Sequence, residues 1–271
     1  MKNMNDSKFN IAVLIDGDNA QAKLIKEIIE EVSKYGKATI RRIYGDWTMQ
    51  QMNSWKEIIN QYSINPIQKF SYTTGKNSTD SSLIIDAMDI LHGRSVDGFC
   101  IVSSDSDYTG LAKRIREEGL FVMGIGRRTT PIAFVNSCEI FTFTENLLRE
   151  TELIEEKADG KKDVKKVETH DAKPKKASPK IVAKPEVVVE PKELLPKLDI
   201  NIIDKAFEIS TNEEDEAYIA NVGSSLRKID PSFDSRTYGF RTLTQLFRSI
   251  DKYTIVKNEV NGLNHPLVKL K

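Results

Sequence analysis

The chain has 271 residues, of which 39% are hydrophobic and 30% are charged, and its 40 basic and 40 acidic side chains give a formal net charge of zero. This length suits one large domain or two small ones, and the composition is that of a globular protein. The balanced charge excludes a chain-wide attraction to a polyanion, so any nucleic-acid surface must come from local segregation of charge.

Cysteine content and hydropathy point to a cytoplasmic protein. The two cysteines, Cys100 and Cys138, are far apart and lie in apolar segments, which excludes a disulfide framework and a cysteine-rich zinc site. We expect both to be buried thiols. No apolar run approaches the roughly 18 residues of a membrane span. The first ten residues are polar, so we expect no secretion signal.

A change in composition divides the chain. Residues 150–197 contain no aromatic residue and hold five of the nine prolines, together with 12 lysines and 11 acidic residues. Such a segment buries too little apolar area to offset its ordering entropy, so it is predicted to be a disordered linker. The predicted domains are therefore 8–149 and 198–271.

The N-terminal domain alternates strand and helix patterns. Short β-branched apolar runs predict buried strands, and apolar residues at helical spacing predict the segments between them as helices. Strands joined in this way form right-handed crossovers, and the result is an α/β fold with a parallel sheet and helices on both faces. The predicted strands are 9–15, 38–44, 66–71, 99–102, 120–125 and 140–143, and the predicted helices are 21–34, 49–62, 78–91, 108–118 and a short one that begins at Pro131.

Acidic residues follow two of these strands at the point where each strand ends. Asp16, Asp18 and Asn19 come directly after the first strand, and Asp105 and Asp107 follow the fourth. In a parallel sheet the functional crevice lies at the carboxyl ends of the strands. We therefore expect these side chains to converge.

A further aspartate, Asp80, begins the third helix on the same stripe as Ala87 and Leu91. A charge on a core-facing stripe is costly unless it is compensated, and converging carboxylates repel one another. A divalent cation removes both costs, and Mg²⁺ prefers oxygen ligands. The sequence therefore predicts a divalent-metal site.

Individual residues of this pattern have other interpretations. Asp86 lies on a more polar face of the third helix, so it and Asp18 are assigned supporting roles, while the amide of Asn19 would orient Asp16 or the substrate. A single polar residue after a strand is often a helix N-cap, and this alternative applies to Asp18, Asn19, Asp80 and Asp107. The joint pattern favours the site.

An acidic metal pocket is suited to phosphate esters, because the cation screens the phosphate charge. Basic residues around the pocket would then hold the flanking phosphates. Arg41 and Arg42 point to opposite faces of the second strand, so at most one would serve. The candidates in loops near the strand ends are Lys76, Arg127 and Arg128.

Three motifs, in this order along the chain, resemble the signature of NYN domains, which belong to the PIN-like nuclease superfamily. The resemblance covers residues 8–149 and implies a metal-dependent RNA-cleaving fold whose acidic residues correspond here to Asp16, Asp80, Asp105 and Asp107, with Asn19 in support. Ser104 stands where family members more usually have Gly. The motifs are the strand 11–15 followed by Asp16-Gly17-Asp18-Asn19, the approach from Lys76 to Asp80, and Ser103-Ser104-Asp105-Ser106-Asp107-Tyr108.

Residues 198–271 predict a small winged-helix-like α+β domain. From Ala217 onward there are nine basic and four acidic residues, and Arg236, Arg241 and Arg248 flank the third helix, which predicts a phosphate-contacting face. The predicted helices are 198–210, 218–229 and 243–250, and the predicted strands are 253–256 and 267–270, joined by a turn that contains Asn261-Gly262.

The segment 234–240, with Leu243 and Leu246-Phe247, resembles the OST-HTH or LOTUS domain. This resemblance covers about residues 199–271 and implies RNA binding or, in some proteins, a protein partner.

The leading hypothesis is a cytoplasmic endoribonuclease that depends on Mg²⁺ or Mn²⁺. Asp16, Asp80 and Asp105 would be direct ligands of the metal, and Asp107 would bind a second metal or position the attacking water. One alternative is a non-catalytic RNA-binding adaptor that keeps the acidic pocket as a structural metal site. The other is a metal-dependent phosphatase with an aspartate nucleophile, because the first strand is followed by Asp-x-Asp.

Overall fold

A computed structural model describes residues 9–70, 78–148, 195–212, 215–260 and 263–271. Most of the predicted linker at 150–197, the predicted turn at Asn261-Gly262 and the phosphate-binding candidate Lys76 lie outside these ranges.

The N-terminal domain is built on a six-stranded sheet in which every neighbouring pair of strands is parallel. The strands are β1 Asn10–Asp16, β2 Lys37–Gly45, β3 Asn65–Gln68, β4 Gly98–Val102, β5 Phe121–Gly126 and β6 Ile140–Phe143. Their order in the sheet is β3-β2-β1-β4-β5-β6, so β1 and β4 are central neighbours. This arrangement confirms the predicted α/β fold.

Helices cover both faces of the sheet because the central strands bury both of their faces. The helices are α1 Ile25–Ser33, α2 Lys56–Gln61, α3 Ser78–Gly93, α4 Thr109–Glu117, α5 Ile132–Val135 and the described part of α6, 144–148. Along β1, Ala12 and Leu14 face one apolar core, with α3, α4 and α5, whereas Val13 and Ile15 face another, with α1 and α2.

Three predicted helices begin with a 3₁₀ turn instead of a regular α-helical turn. The predicted helix at 49–62 begins as a 3₁₀ helix at Gln50–Trp55. The other 3₁₀ turns are Ala22–Leu24, before α1, and Ser106–Tyr108, before α4. Among the described helices, none has the length and apolar character that crossing a bilayer requires.

Two glycines allow the strand tips to approach closely at the end of the sheet where the acidic residues lie. A Cβ atom on Gly17 would lie 2.7 Å from the carbonyl oxygen of Tyr44, and one on Gly126 would lie 2.5 Å from that of Ser103. Both distances are too short for any side chain, so the local geometry requires glycine at these positions.

The C-terminal domain is a small α+β unit with its own core and a three-stranded antiparallel sheet. The elements are α7 Ile200–Ser210, β7 Glu216–Tyr218, α8 Ile219–Ile229, α9 Leu243–Arg248, β8 Tyr253–Val256, β9 Glu259–Val260, β10 Leu263–Asn264 and β11 Leu267–Leu270. The order of the three-stranded sheet is β7-β11-β8, and the predicted two-stranded hairpin is part of it. The sequence prediction was wrong at Tyr218, which ends β7 instead of beginning a helix.

Candidate active site

Asp16 ends β1 and is fully buried. Its Oδ2 accepts hydrogen bonds from Asn19 Nδ2 at 2.7 Å and from Ser103 Oγ at 2.8 Å, and its Oδ1 accepts one from the backbone N–H of Asp18 at 3.2 Å. Burial raises the pKa of Asp16, the bonds from Asn19 and Ser103 oppose this rise, and the nearby charge of Asp80 adds to it. Asp16 is therefore held rigidly by the polar groups around it.

Three other aspartates form what we call the acidic cluster, which consists of Asp80, Asp105 and Asp107. Each contributes one carboxylate oxygen, and these oxygens lie within 4.8 Å of one another. Asp80 lies in the first turn of α3, while Asp105 and Asp107 follow β4. Asp16 lies outside this group, although its carboxylate is close enough to interact electrostatically with Asp80.

Hydrogen bonds fix the positions of the cluster members. Ser103 Oγ accepts a bond from the backbone N–H of Asp105 at 3.1 Å while donating to Asp16, so it links the cluster to the buried carboxylate. Asp105 Oδ1 accepts a bond from the N–H of Asp107 at 3.0 Å and thereby caps the 3₁₀ turn. The hydroxyl of Tyr108 donates to Asp80 Oδ1 at 2.6 Å.

The electrostatics of the site are those of crowded negative charge. Burial raises the pKa of Asp80, the hydrogen bond from Tyr108 lowers it, and the charges of Asp105 and Asp107 raise it further. Burial also raises the pKa of Tyr108, with Asp16 and Asp80 adding to the effect, so its hydroxyl remains a donor. Within the described ranges, Asp16, Asp80 and Asp105 form no ion pair.

The acidic cluster has the donor set of a site for a hard divalent cation. Mg²⁺ binds oxygen at about 2.0–2.1 Å, so ligand atoms on opposite sides of one ion are about 4.2 Å apart. Three oxygens within 4.8 Å of one another therefore need only small side-chain adjustments to share an ion. A cation would also offset the repulsion between the carboxylates.

Two arginines after β5 lie at the same end of the sheet as the cluster. Arg127 is exposed, and its backbone N–H donates to Ser104 Oγ at 2.9 Å. Arg128 is half-buried, and its backbone N–H bonds to the carboxylate of Glu145. The Nε atom of Arg128 is buried and has no hydrogen-bond partner among the described residues. Their side chains therefore remain candidates for phosphate contacts.

The side chains of Asp86 and Asp18, which were predicted to support the site, form hydrogen bonds with residues outside the acidic cluster. Asp86 binds Arg42 and the hydroxyl of Tyr44, so it joins α3 to β2 and lies outside the acidic cluster. Asp18 accepts a hydrogen bond from Gln51 Nε2 at 3.1 Å. Arg41 donates to two backbone carbonyls, so both of the arginines on β2 are engaged within the domain.

The three predicted RNA-contacting arginines of the C-terminal domain differ in environment. Arg241 and Arg248 are exposed. The Arg236 side chain is only 11% exposed and forms ion pairs with Asp234 and with Glu31 of the N-terminal domain. An RNA contact by Arg236 stays a prediction, and its guanidinium has a structural partner on each side.

Ser103 and Tyr108 are site residues that the sequence interpretation did not single out. Both belong to the motif 103–108, in which only the aspartates were predicted to be site residues. Their position next to the aspartates was a sign in the sequence that they could belong to the site. Their hydrogen-bond partners, Asp16 for Ser103 and Asp80 for Tyr108, depend on how α3 packs against the ends of β1 and β4.

Comparison with known proteins agrees with this geometry. The family model of the NYN domain matches residues 10–148, more than half of the chain. The chain belongs to the NYN domain family. The OST-HTH/LOTUS domain matches residues 188–265, after the NYN domain, in the order expected from the sequence motifs. NYN domains belong to the PIN-like nuclease superfamily, and OST-HTH domains bind RNA.

Two solved structures are similar to parts of the chain. A protein of unknown function from Vibrio parahaemolyticus is 19% identical over 51% of this chain and 93% of its own, with a TM-score of 0.43. An uncharacterised protein from Nitrosomonas europaea is 24% identical over 35% of this chain and 92% of its own, with a TM-score of 0.27. No curated protein matches the chain.

Proposed function

We propose that the protein is an endoribonuclease that uses Mg²⁺ or Mn²⁺, with the NYN domain as its catalytic part and the OST-HTH domain as an RNA-binding part. The observation that carries this proposal is the convergence of Asp80, Asp105 and Asp107 at the carboxyl edge of a PIN-like sheet. A carboxylate cluster of this kind is suited to holding a cation against a phosphodiester.

Each acidic residue has its own role in this proposal. Asp80, Asp105 and Asp107 would hold the cation, which when bound would screen the phosphate and lower the pKa of a water molecule. Asp107 is the exposed member, so it is suited to accept a hydrogen bond from the attacking water. Asp16 contributes negative charge behind the cluster and, through Ser103, orients the backbone N–H of Asp105. Asn19 holds the Asp16 carboxylate in place.

The positive side chains would hold the phosphates on either side of the scissile bond. Arg127 and Arg128 extend from the end of β5, and Lys76 precedes α3 in the sequence. Arg127 is exposed, so its guanidinium is accessible to a phosphate oxygen. Arg241 and Arg248 would bind RNA further from the cleavage point.

No structural observation favours a phosphatase. An aspartate nucleophile after β1 would have to reach the substrate, whereas Asp16 has no exposed surface and both of its oxygens accept hydrogen bonds. The adaptor alternative differs from the nuclease in turnover alone, so an activity measurement separates the two.

The decisive experiment incubates a panel of labelled RNAs with the full chain in Mg²⁺, Mn²⁺ or EDTA. We expect cleavage with either ion and none in EDTA. Asp105→Asn should reduce the cleavage rate by at least about 100-fold, the upper range for losing even an outer-shell partner of a metal.

The matched control is Asp89→Asn, which changes an exposed aspartate on α3 outside the cluster and should leave the rate unchanged. RNA binding without cleavage by the wild-type chain would instead identify an adaptor. Full activity in a folded Asp105→Asn protein would remove Asp105 from the site.

A further inference from the structure

The NYN and OST-HTH domains contact each other directly. On the NYN side the contacts come from the end of α1 and the residues just after it, from β6 and from α6, and on the OST-HTH side they come from residues 227–237. The contacting pairs are Glu31 with Arg236, Tyr35 with Arg227, Phe141 with Pro231, and Asn146 with Thr237.

The ion pair between Glu31 and Arg236 joins the two domains through nearly buried side chains. The guanidinium binds both carboxylate oxygens at 3.0 Å in a bidentate arrangement, and the Glu31 side chain is only 4% exposed. Asp234 and Lys34 complete the charge balance, through Arg236 and Glu31 respectively. A buried charge without its partner is strongly unfavourable, so this network is suited to the docked arrangement of the two domains.

The other contacts cover a part of the NYN domain that would otherwise be open. β6 is an edge strand of the sheet, and the backbone N–H of Phe141 donates to the carbonyl oxygen of Pro231 at 2.8 Å. Asn146 Nδ2 donates to Thr237 Oγ1 at 2.9 Å, close to the end of β6. The Arg227 guanidinium lies 5.8 Å from the centre of the Tyr35 ring.

We propose that the end of α1 and the edge of β6 form a docking surface for the OST-HTH domain, with Glu31 and Arg236 as its central contact. The covalent connection makes this association intramolecular, so modest contacts suffice to maintain it. The OST-HTH domain is then a fixed arm of the enzyme. RNA held by Arg241 and Arg248 reaches the acidic cluster in one orientation, a consequence that rests on the proposed function.

The docking itself can be tested in the full chain without RNA. Spin labels on Glu57→Cys and Lys205→Cys report the distance between the domains, because both positions are exposed and the native Cys100 and Cys138 are buried. We expect a single narrow distance distribution for the otherwise wild-type chain and a broad one after Glu31→Gln. A broad distribution without Glu31→Gln would overturn the docking. A distribution that Glu31→Gln leaves narrow would overturn the role of Glu31.

The matched control is Glu30→Gln, which removes an exposed charge from the same helix and should leave the distribution narrow. A second measurement follows RNA cleavage. Glu31→Gln removes a negative charge, which by itself favours RNA binding, so a fall in kcat/KM of about 10- to 100-fold with a wider range of product lengths would support misorientation. An unchanged product pattern in a Glu31→Gln chain whose inter-domain distances have broadened would overturn the orienting role and leave the nuclease proposal intact.

Discussion

The surroundings of Asp80 disfavour the ionised form of its carboxyl group. Burial raises its pKa, the Tyr108 hydroxyl lowers it, and Asp105 and Asp107 raise it, with a net increase. An acid whose pKa is higher in the folded state contributes stability as the pH falls through that folded value, and this contribution is lost above it. In its ionised form, Asp80 therefore destabilises the metal-free protein.

Replacing this carboxylate with an amide should raise the melting temperature of the metal-free protein. Asp80→Asn in EDTA at pH 7 removes the repulsion, and each kcal/mol relieved corresponds to about 2–4 °C in a protein of this size. The gain over wild type should shrink as the pH is lowered, because the wild-type carboxyl then binds a proton. Thermal unfolding between pH 4 and 8 measures this trend, with Asp89→Asn as the control. A lower melting temperature for Asp80→Asn would contradict the electrostatic argument.

Mg²⁺ should reverse the order of stability of the wild-type chain and Asp80→Asn. An ion that binds only the folded state stabilises it by about 2.7 kcal/mol at 100 times its Kd. The wild-type chain should show this increase in melting temperature, and Asp80→Asn should show much less of it. An equal response of both proteins to Mg²⁺ would indicate that the ion binds away from the acidic cluster.

Tyr108 positions a proposed ligand without being one. Tyr108→Phe keeps the buried ring but leaves Asp80 Oδ1 without its donor. Outer-shell partners of this kind change metal affinity by about 10- to 100-fold. The Mg²⁺ concentration for half-maximal cleavage should rise by this factor, while the rate at saturating Mg²⁺ changes little. Tyr253→Phe, which removes a similar bond to Asp204, should change neither quantity. A lower rate at saturating Mg²⁺ would point to a role in the chemical step.

At the level of single residues, the sequence led to the carboxylates more readily than to their partners. The proximity of Asp80, Asp105 and Asp107 could be predicted because strand ends and helix starts meet at one edge of a parallel sheet. The environment of Asp16 could not be predicted, since it depends on the register that sets Ile15 opposite Val102 and so brings Ser103 beside it.

Among the elements, strands were predicted better than the starts of helices. The run that forms β1 is continuous and apolar, which is typical of a strand that is buried on both faces. β7 was missed because it has only three residues and its partner β11 lies far along the chain, so no local pattern marks it. The 3₁₀ turns before α1 and α4 have only three residues each, which is too short for hydrophobic periodicity to distinguish them from the first turn of an α-helix.

The tips of β4 and β5 give a prediction at the level of elements. Gly126→Ala would place a methyl group 2.5 Å from the Ser103 carbonyl oxygen, so the strands must separate near the site. Overpacking of this kind costs about 1–3 kcal/mol, and thermal unfolding should detect it. Gly110→Ala in α4 meets nothing within 4 Å and should stabilise the chain by about 0.4–1 kcal/mol. Equal effects of the two changes would contradict the close approach of the tips.

At the level of the whole molecule, the relation between the domains was beyond sequence reasoning. The composition of 150–197 suggested a tether, and the local excess of basic residues suggested that Arg236 contacts RNA. The contact between Glu31 and Arg236 joins residues 205 positions apart, and neither helical spacing nor strand alternation relates them. An arginine on a basic segment is predicted to bind phosphate, because the sequence does not show that an acidic residue of another domain is its partner.

The surface that remains for RNA on the OST-HTH domain makes the last prediction specific. Arg236 is occupied by Glu31 and Asp234, which leaves Arg241 and Arg248 as the exposed arginines flanking α9. Each phosphate contact with a single strand contributes about 0.7 to the slope of log K against log salt. The double change Arg241→Ala and Arg248→Ala should therefore weaken RNA binding and lower the magnitude of the slope by up to about 1.4.

Binding isotherms of the full chain at several salt concentrations give this slope directly. The rate at saturating RNA should change little, because the acidic cluster is unaltered. Lys205→Ala, which removes an exposed charge from α7, serves as the control and should leave the slope unchanged. If the double variant bound RNA with the wild-type affinity and slope, the exposed face of the OST-HTH domain would be free for a protein partner, and the phosphate contacts would have to come from Arg127, Arg128 and Lys76.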